Sequence, residues 1–279
     1  MQIEYFKYSS IGNRPVNEDS VFCETSGPQS VCAVVCDGLG GHGGGKDASQ
    51  IGVSALKWEQ TTLPPEKELL ARFNTANQEI IARRSDPRQM KTTAVALYIS
   101  GNQARWCHIG DSRLYHYYNG ELKDYTRDHS VCQVAVRMGE ITRREIPGHP
   151  DRSKILRALG SERIEPELHP VVTLDKGFHA FLLCSDGLWE RLQEDEIMLD
   201  LHRATNPEQW LFDLRARAES RKHTDVDNNT AVALYVMVDE ECENHEKKSD
   251  FFCTVSDIAC RSGPDRRCRR GRKILTGKL

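Results

Sequence analysis

The chain has 279 residues, with 38 Lys plus Arg against 41 Asp plus Glu and a formal net charge of −3. That near balance argues against a dedicated nucleic-acid binder, which carries a strong basic excess. With 38% apolar and 28% charged residues, wholesale disorder is excluded, and the chain is long enough to bury a core without disulfide or metal staples.

The opening MQIEYFKYSS holds no apolar core segment and does not read as a signal peptide. A strand rich in Val and Cys is expected at residues 31–36, followed by helical patterns at 46–58 and 65–84. Strands follow at 93–99, 104–109 and 114–118, and Asn119-Gly120 is a hairpin turn into a further strand at 121–125. A helix at 130–138 precedes strands at 171–174 and 180–184. Helices at 194–203 and 207–221 lead to a last strand at 231–238, and Pro65 and Pro207 suit first-turn positions. The run 231–238 is also the longest uninterrupted apolar stretch, far short of the roughly 20 residues of a membrane helix. This order is an antiparallel α+β pattern more than a regular βαβ repeat.

Charge is unevenly spread. Residues 258–279 hold eight Lys or Arg and one acid, Asp265, a sum of +7, which leaves −10 on the rest. Periodicity is lost after Asp239, so the folded domain is expected to span 1–240, with 241–279 a basic, mobile tail whose partner the sequence does not name. Ten cysteines include no C-x-x-C pair. Cys32, Cys36, Cys107 and Cys184 fall inside strand-like runs, which reads as buried, reduced thiols of a cytoplasmic protein.

The most conspicuous segment is VVCDGLGGHGGGKDAS, residues 34–49. Gly38, Gly40 and Gly43 satisfy G-x-G-x-x-G with Glu59 about twenty residues on, and Gly40 to Lys46 satisfies most of a P-loop. Both nucleotide readings meet the same obstacle: Asp37 before the glycines and Asp47 after Lys46 bring carboxylates to a phosphate cradle. The company is acidic as well. Glu18, Asp19, Asp111, Asp128, Asp186, Asp227 and Asn228 lie near strand ends. Carboxylates gathered on such rigid mounts repel one another unless a cation neutralises them. Oxygen ligands without a Cys or His quorum select magnesium or manganese over zinc. Arg14 could supply a planar fork for a phosphate dianion, and His42, His108 and His129 are candidate acids.

The ordered set resembles the metal-dependent serine/threonine phosphatases of the 2C family, in its compact bacterial branch. The matching pieces are Arg14 to Asp19 (RPVNED), Asp37-Gly38-Leu-Gly-Gly, Thr92-Thr93-Ala94, Gly110-Asp111-Ser112-Arg113, Ser185 to Glu190 (SDGLWE) and Asp227-Asn228-Asn229-Thr230. The resemblance implies a four-layer α/β/β/α sandwich of two antiparallel sheets flanked by helices, with the metals between the sheets at one end. It implies two core Mn2+ or Mg2+ ions, with a third in bacterial members. Asp37 matches the acid bridging both core ions, the Gly38 carbonyl a main-chain ligand, and Asp186 and Asp227 acids completing the other site. Asp19 matches a further metal acid with Glu18 beside it, and Asp128 a ligand of the third ion. Arg14 matches the substrate phosphate clamp, and Asn228 a residue orienting Asp227 or a metal water.

The expected reaction is hydrolysis of phosphoserine or phosphothreonine on proteins by a hydroxide bridging two ions, without a phosphoenzyme. The partners would be phosphoprotein substrates from a Ser/Thr kinase pathway, and the protein would act as a monomer. Leu39 stands where animal-type members carry a proposed general-acid histidine, and Lys46 where relatives often carry an acid. A fold-retaining module without catalysis and a nucleotide binder using the glycine loop are the competing readings.

Overall fold

The computed structural model describes residues 1–40, 44–84, 90–221 and 226–239. The first sheet has five strands in the order β1 (Gln2–Ser10), β13 (Asn229–Val238), β12 (Gly177–Cys184), β8 (Arg113–Tyr118), β9 (Glu121–Tyr125). The second runs β10 (Glu167–Leu168), β7 (Gln103–Ile109), β6 (Ala94–Ser100), β3 (Ser30–Cys36), β2 (Ser20–Gly27), and β11 (Val172–Thr173) also pairs with β7. Every pairing is antiparallel. A two-stranded piece joins β4 (Gly38–Leu39) to β5 (Lys91–Thr92).

Period-two alternation builds the layers. On β3, Val31, Ala33 and Val35 point into the space between the sheets, where they meet Phe181, Leu183, Val232 and Leu234. Cys32, Val34 and Cys36 face the other way, onto α1 (Gly44–Leu56) and α2 (Glu66–Arg83). Helix α2 covers that face with Leu69, Phe73, Ala76 and Ile80, a stripe at helical spacing. The outer face of the first sheet carries Tyr115, Tyr117, Leu182 and Ala233, covered by α5 (Glu194–Arg203) and by Trp210, Leu211 and Leu214 of α6 (Pro207–Ser220). The expected sandwich of two sheets between helices is therefore what the chain forms. Short pieces complete it: α3 (Val131–Met138) and α4 (Asp186–Trp189).

Local chemistry explains most boundaries. Asn119 and Gly120 both hold positive φ, 49° and 86°, as the two-residue turn between β8 and β9 requires. Pro207 opens α6 behind an Asn206 cap, as expected, whereas Pro65 stands one residue outside α2. Strands β1 and β2 go beyond the sequence expectation. Each is partly exposed and mixes polar with apolar residues, and β1 is recruited by its nine-residue register with β13. Cys23, Cys32, Cys36, Cys107, Cys132 and Cys184 are buried free thiols. Four further cysteines and the 241–279 tail lie outside the described residues. Among the described residues no helix is long and apolar enough to cross a membrane.

Two histidines sit between the sheets. His179 Nε2–H donates to the Asp175 carbonyl at 2.8 Å, so its Nδ1 accepts from His116 Nε2–H at 3.0 Å. Burial pushes His116 down to about 3, with the His179 charge adding to it, and lowers His179 as well. Both must stay neutral in the folded state, so their stability contribution is complete above about pH 6.5 and is lost as pH falls toward the folded values. Between pH 6.5 and 5, His116 alone should cost about 2 kcal/mol. Urea midpoints of the manganese-saturated protein should fall over that interval, and His116→Gln should flatten the decline. An equal decline in the variant would exclude His116 as its source.

Candidate active site

The cleft, of about 390 Å3, opens where strand ends of both sheets meet. Its lining includes Arg14, Glu18, Asp37, Gly38, Leu39, Asp111, Asp186, Asp227 and Asn228. Asp37 follows β3 and Asp111 follows β7, while Asp186 follows β12 and Asp227 precedes β13. Asp37 is thus mounted on the second sheet, Asp186 and Asp227 on the first, and Asp111 on the connection from β7 to β8 that joins the two.

These mounts are held tightly. The Asp37 carbonyl accepts from Thr93 N–H at 2.9 Å and from Thr92 Oγ1 at 2.8 Å, and Asp37 N–H donates to Thr93 Oγ1 at 3.1 Å. Asn228 N–H donates to Asp227 Oδ1 at 2.8 Å, so the main chain of Asn228 orients that acid. Its side chain does a different job. Oδ1 accepts from Glu18 N–H at 2.8 Å, and Nδ2 donates to the carbonyls of Ile11 and Val16, fastening the loop that carries Arg14. Asp19, 7% exposed, stands behind the cleft and accepts from Ser185 Oγ at 2.8 Å. Arg14 Nη2 lies 2.9 Å from Asp227 Oδ2 at the mouth, with both side chains near half exposed.

The glycines serve packing. A Cβ on Gly38 would stand 2.2 Å from the Gly45 carbonyl oxygen and 2.6 Å from that of Glu18. One on Gly187 would stand 1.9 Å from the Asn228 carbonyl oxygen. The start of α1 therefore closes directly on the Asp37–Gly38 turn, and α4 closes on the Asp227–Asn228 turn. Gly38 and Gly45 face backbone rather than an open phosphate cradle, which removes the basis of the nucleotide reading at those two positions. Gly43 and His42 lie outside the described residues.

Electrostatically the cleft is over-supplied with negative charge. Burial holds the Asp37 carboxyl well above the usual carboxylate range, and the charges of Asp186, Asp19 and Asp111 add to it. Asp186 is pushed up to about 7 by burial, then by Glu190, Asp227 and Asp19. Asp19 rises to about 6 through burial and Asp227, against hydrogen bonds from Thr230 and Ser185. Asp111 is raised well above its ordinary value by burial, then by Asp186 and Asp128. Glu18 Oε1, Asp19 Oδ1 and Asp111 Oδ1 are buried with no hydrogen-bond partner. Orphaned carboxylate oxygens beside mutually repelling acids are the donor set of a hard divalent cation, so the residues present fit Mn2+ or Mg2+.

Two residues change place relative to the sequence reading. Asp128, expected to hold a third ion, is not brought to the cleft. Both its oxygens are taken by Arg113, Nε at 2.8 Å and Nη2 at 2.7 Å, in a pair with side chains 2% and 5% exposed. Asp111, noted in the sequence but given no role, lies in the cleft as a near neighbour of Asp186. Its position after a strand, in Gly110-Asp111-Ser112, was the available signal. His108 and His129 face away from catalysis: their rings stack at 4.7 Å and 2°. With Glu167 they bring candidate ligand atoms within 4.8 Å of one another. However, parallel rings aim their lone pairs along parallel planes, and His129 Nδ1 accepts from Gly110 N–H at 3.1 Å, which leaves the proton on Nε2. The group is a hydrogen-bonded stack. Leu39 puts an apolar side chain in the cleft, and the described lining residues include no histidine.

Comparison with known proteins agrees with this geometry. Residues 8–217 match the family described as Protein phosphatase 2C. The serine/threonine protein phosphatase PstP of Mycobacterium tuberculosis is 36% identical over 192 residues, which make up 66% of this chain and 36% of that protein. The chain thus spans little more than a third of that relative's length. The serine/threonine phosphatase stp of Listeria monocytogenes is 33% identical over 194 residues, 65% of this chain and 75% of that protein. A crystal structure of the M. tuberculosis phosphatase superposes with a TM-score of 0.74 at 32% identity, covering 85% of this chain and 100% of that one. The PstP catalytic domain in complex with two manganese ions superposes with a TM-score of 0.71 at 31% identity, covering 85% and 99%. A match running from the first strand into the last helix makes this chain a member of the protein phosphatase 2C family, in its bacterial branch.

Proposed function

We propose that this protein is a Mn2+- or Mg2+-dependent phosphatase that hydrolyses phosphoserine and phosphothreonine on proteins, reversing the action of a Ser/Thr kinase. The observation that carries the reading is the set of four cleft aspartates drawn together from both sheets and the connection between them, with orphaned carboxylate oxygens around them. Asp37, the Gly38 carbonyl, Asp186 and Asp227 would hold two ions, with Glu18 in the same lining, Asp19 behind it and Asp111 beside Asp186. Divalent cations held there supply a water activated at neutral pH and offset the phosphoryl charge.

The chain's own residues supply the rest. Arg14 stands at the mouth, exchanges its partner Asp227 for the incoming phosphate and orients it by two parallel N–H donors. Leu39, Val16 and Ile155 line the same cleft and exclude water around the ester. The six described cysteines are buried and burial pushes their thiols up, as at Cys36 and Cys184, so none of these six serves as nucleophile. The free buried thiols among the described residues fit a reducing cytoplasm. We place the catalytic domain at residues 1–240 and treat 241–279 as an appendage.

The test is hydrolysis of para-nitrophenyl phosphate and of a phosphothreonine peptide. Both should proceed with added manganese and stop with EDTA. Turnover that survives EDTA would overturn the proposal, and manganese binding without turnover would favour the non-catalytic module.

A further inference from the structure

Arg113, the first residue of β8, is buried with its counter-ion, and the pair does more than neutralise itself. The guanidinium is gripped in its own plane by both Asp128 oxygens, and its third nitrogen, Nη1, donates to Tyr115 Oη at 3.1 Å. Its Cζ lies 3.4 Å from the centroid of the Trp189 ring. Trp189 is itself 1% exposed, and its Nε1–H donates to the Asp111 carbonyl at 3.0 Å. Trp189 closes the four-residue helix α4 that Asp186 opens. One continuous set of contacts therefore runs from Asp128 through Arg113 and Trp189 to the main chain of Asp111, and along α4 to Asp186.

We propose that Asp128, Arg113 and Trp189 form a buried positioning relay that sets the separation of Asp111 and Asp186 in the cleft. This rests on the phosphatase reading, in which Asp186 holds a cation and Asp111 stands beside it. A buried ion pair is a poor source of stability compared with apolar packing, so its presence calls for a geometric role. A guanidinium held by a bidentate carboxylate has a fixed plane, and a flat ion against an indole fixes the indole plane in turn. That aims the single indole N–H at one carbonyl. The residue before Asp111 is held from the other side: His129 N–H donates to the Gly110 carbonyl at 2.9 Å, and Gly110 N–H donates to His129 Nδ1 at 3.1 Å. Asp111 is thereby suspended between the Asp128–His129 segment and α4. The relay also explains why Asp128, a buried acid close to the cleft, does not enter it.

Trp189→Phe is the discriminating variant, because it keeps an aromatic ring under Arg113 while removing the N–H on Asp111 together with part of the ring volume. Arg113→Lys keeps the charge and loses the plane. In metal-free buffer, Trp189→Phe should melt within a few degrees of wild type. Calorimetric titration with manganese alone should show affinity weakened by about tenfold, the scale of losing a group that orients a metal ligand. With para-nitrophenyl phosphate, kcat should fall while KM stays. Asp128→Asn should give the same weakened isotherm with the same number of ions bound. The relay is overturned if Trp189→Phe titrates and turns over like wild type. It is also overturned if Asp128→Asn binds one ion fewer, which would make Asp128 a ligand. Wild-type protein that binds no manganese would instead sink the phosphatase reading beneath it.

Discussion

Asp37→Asn should lower kcat/KM for para-nitrophenyl phosphate by about a thousand-fold, equivalent to about 4 kcal/mol of transition-state stabilisation. Asp37 is the acid whose charge Asp186, Asp19 and Asp111 all oppose, so removing it takes away the most central carboxylate of the cleft. The amide is nearly isosteric and can keep the main-chain bonds to Thr92 and Thr93, which do not involve the side chain. The same change should act on stability with the opposite sign. In metal-free protein it deletes one of several repelling charges, so the melting temperature without manganese should rise by a few degrees while activity is lost. Kinetics and thermal melting on one preparation check both halves. A variant that keeps wild-type activity would remove Asp37 from the mechanism.

The second large effect is stabilisation by manganese, and its dependence on pH. Carboxyls whose folded values are raised stabilise the folded state below their unfolded value near 4, and that contribution is lost as pH rises through the folded values. With Asp19 at about 6 and Asp186 at about 7, metal-free protein should lose stability from this cluster between roughly pH 4 and 7. Bound cations reverse the sense of this dependence, since they bind the ionised acids. At a hundredfold excess over Kd each ion contributes about 2.7 kcal/mol, so two contribute about 5 kcal/mol. For a domain of this size that is a rise of about 10–20 °C in melting temperature at pH 7, abolished by EDTA. At pH 5 the shift should be much smaller. A shift absent at both values would mean that the acids repel one another without a cation to satisfy.

Much of this was legible before any coordinate. The inner strands β3, β6, β12 and β13 announce themselves because both their faces are covered and their sequences are mostly apolar, while β7 and β8 show through their aromatic residues and the Asn119-Gly120 turn that follows β8. Strand β1 was not, because QIEYFKYSS alternates weakly and becomes a strand by pairing with residues more than two hundred positions away. Helix α4 was hidden because Ser-Asp-Gly reads as a turn, and its helical form depends on Gly187 touching Asn228. The candidate acids were visible as residue types at strand ends, and Arg14, Glu18, Asp37, Asp186, Asp227 and Asn228 do line one cleft. Which acid faces the cleft and which faces an arginine was not visible. Asp111 and Asp128 lie seventeen residues apart, each shortly after a strand, and the location of the Arg113 guanidinium ties up Asp128.

The cleft aspartates come from both sheets, with Asp111 on the connection between them, and this has a mechanical meaning. Between the sheets the contacts are mostly apolar side chains, which resist separation but permit small sliding. Ions held by Asp37 on one side and by Asp186 and Asp227 on the other would rivet the two layers at one edge. Sliding would then change ligand distances at once, so the riveted edge becomes a fixed hinge line and relative motion of the layers is displaced toward the opposite end, where His116 and His179 sit. A centre built for chemistry would in this way also decide which end of the sandwich breathes.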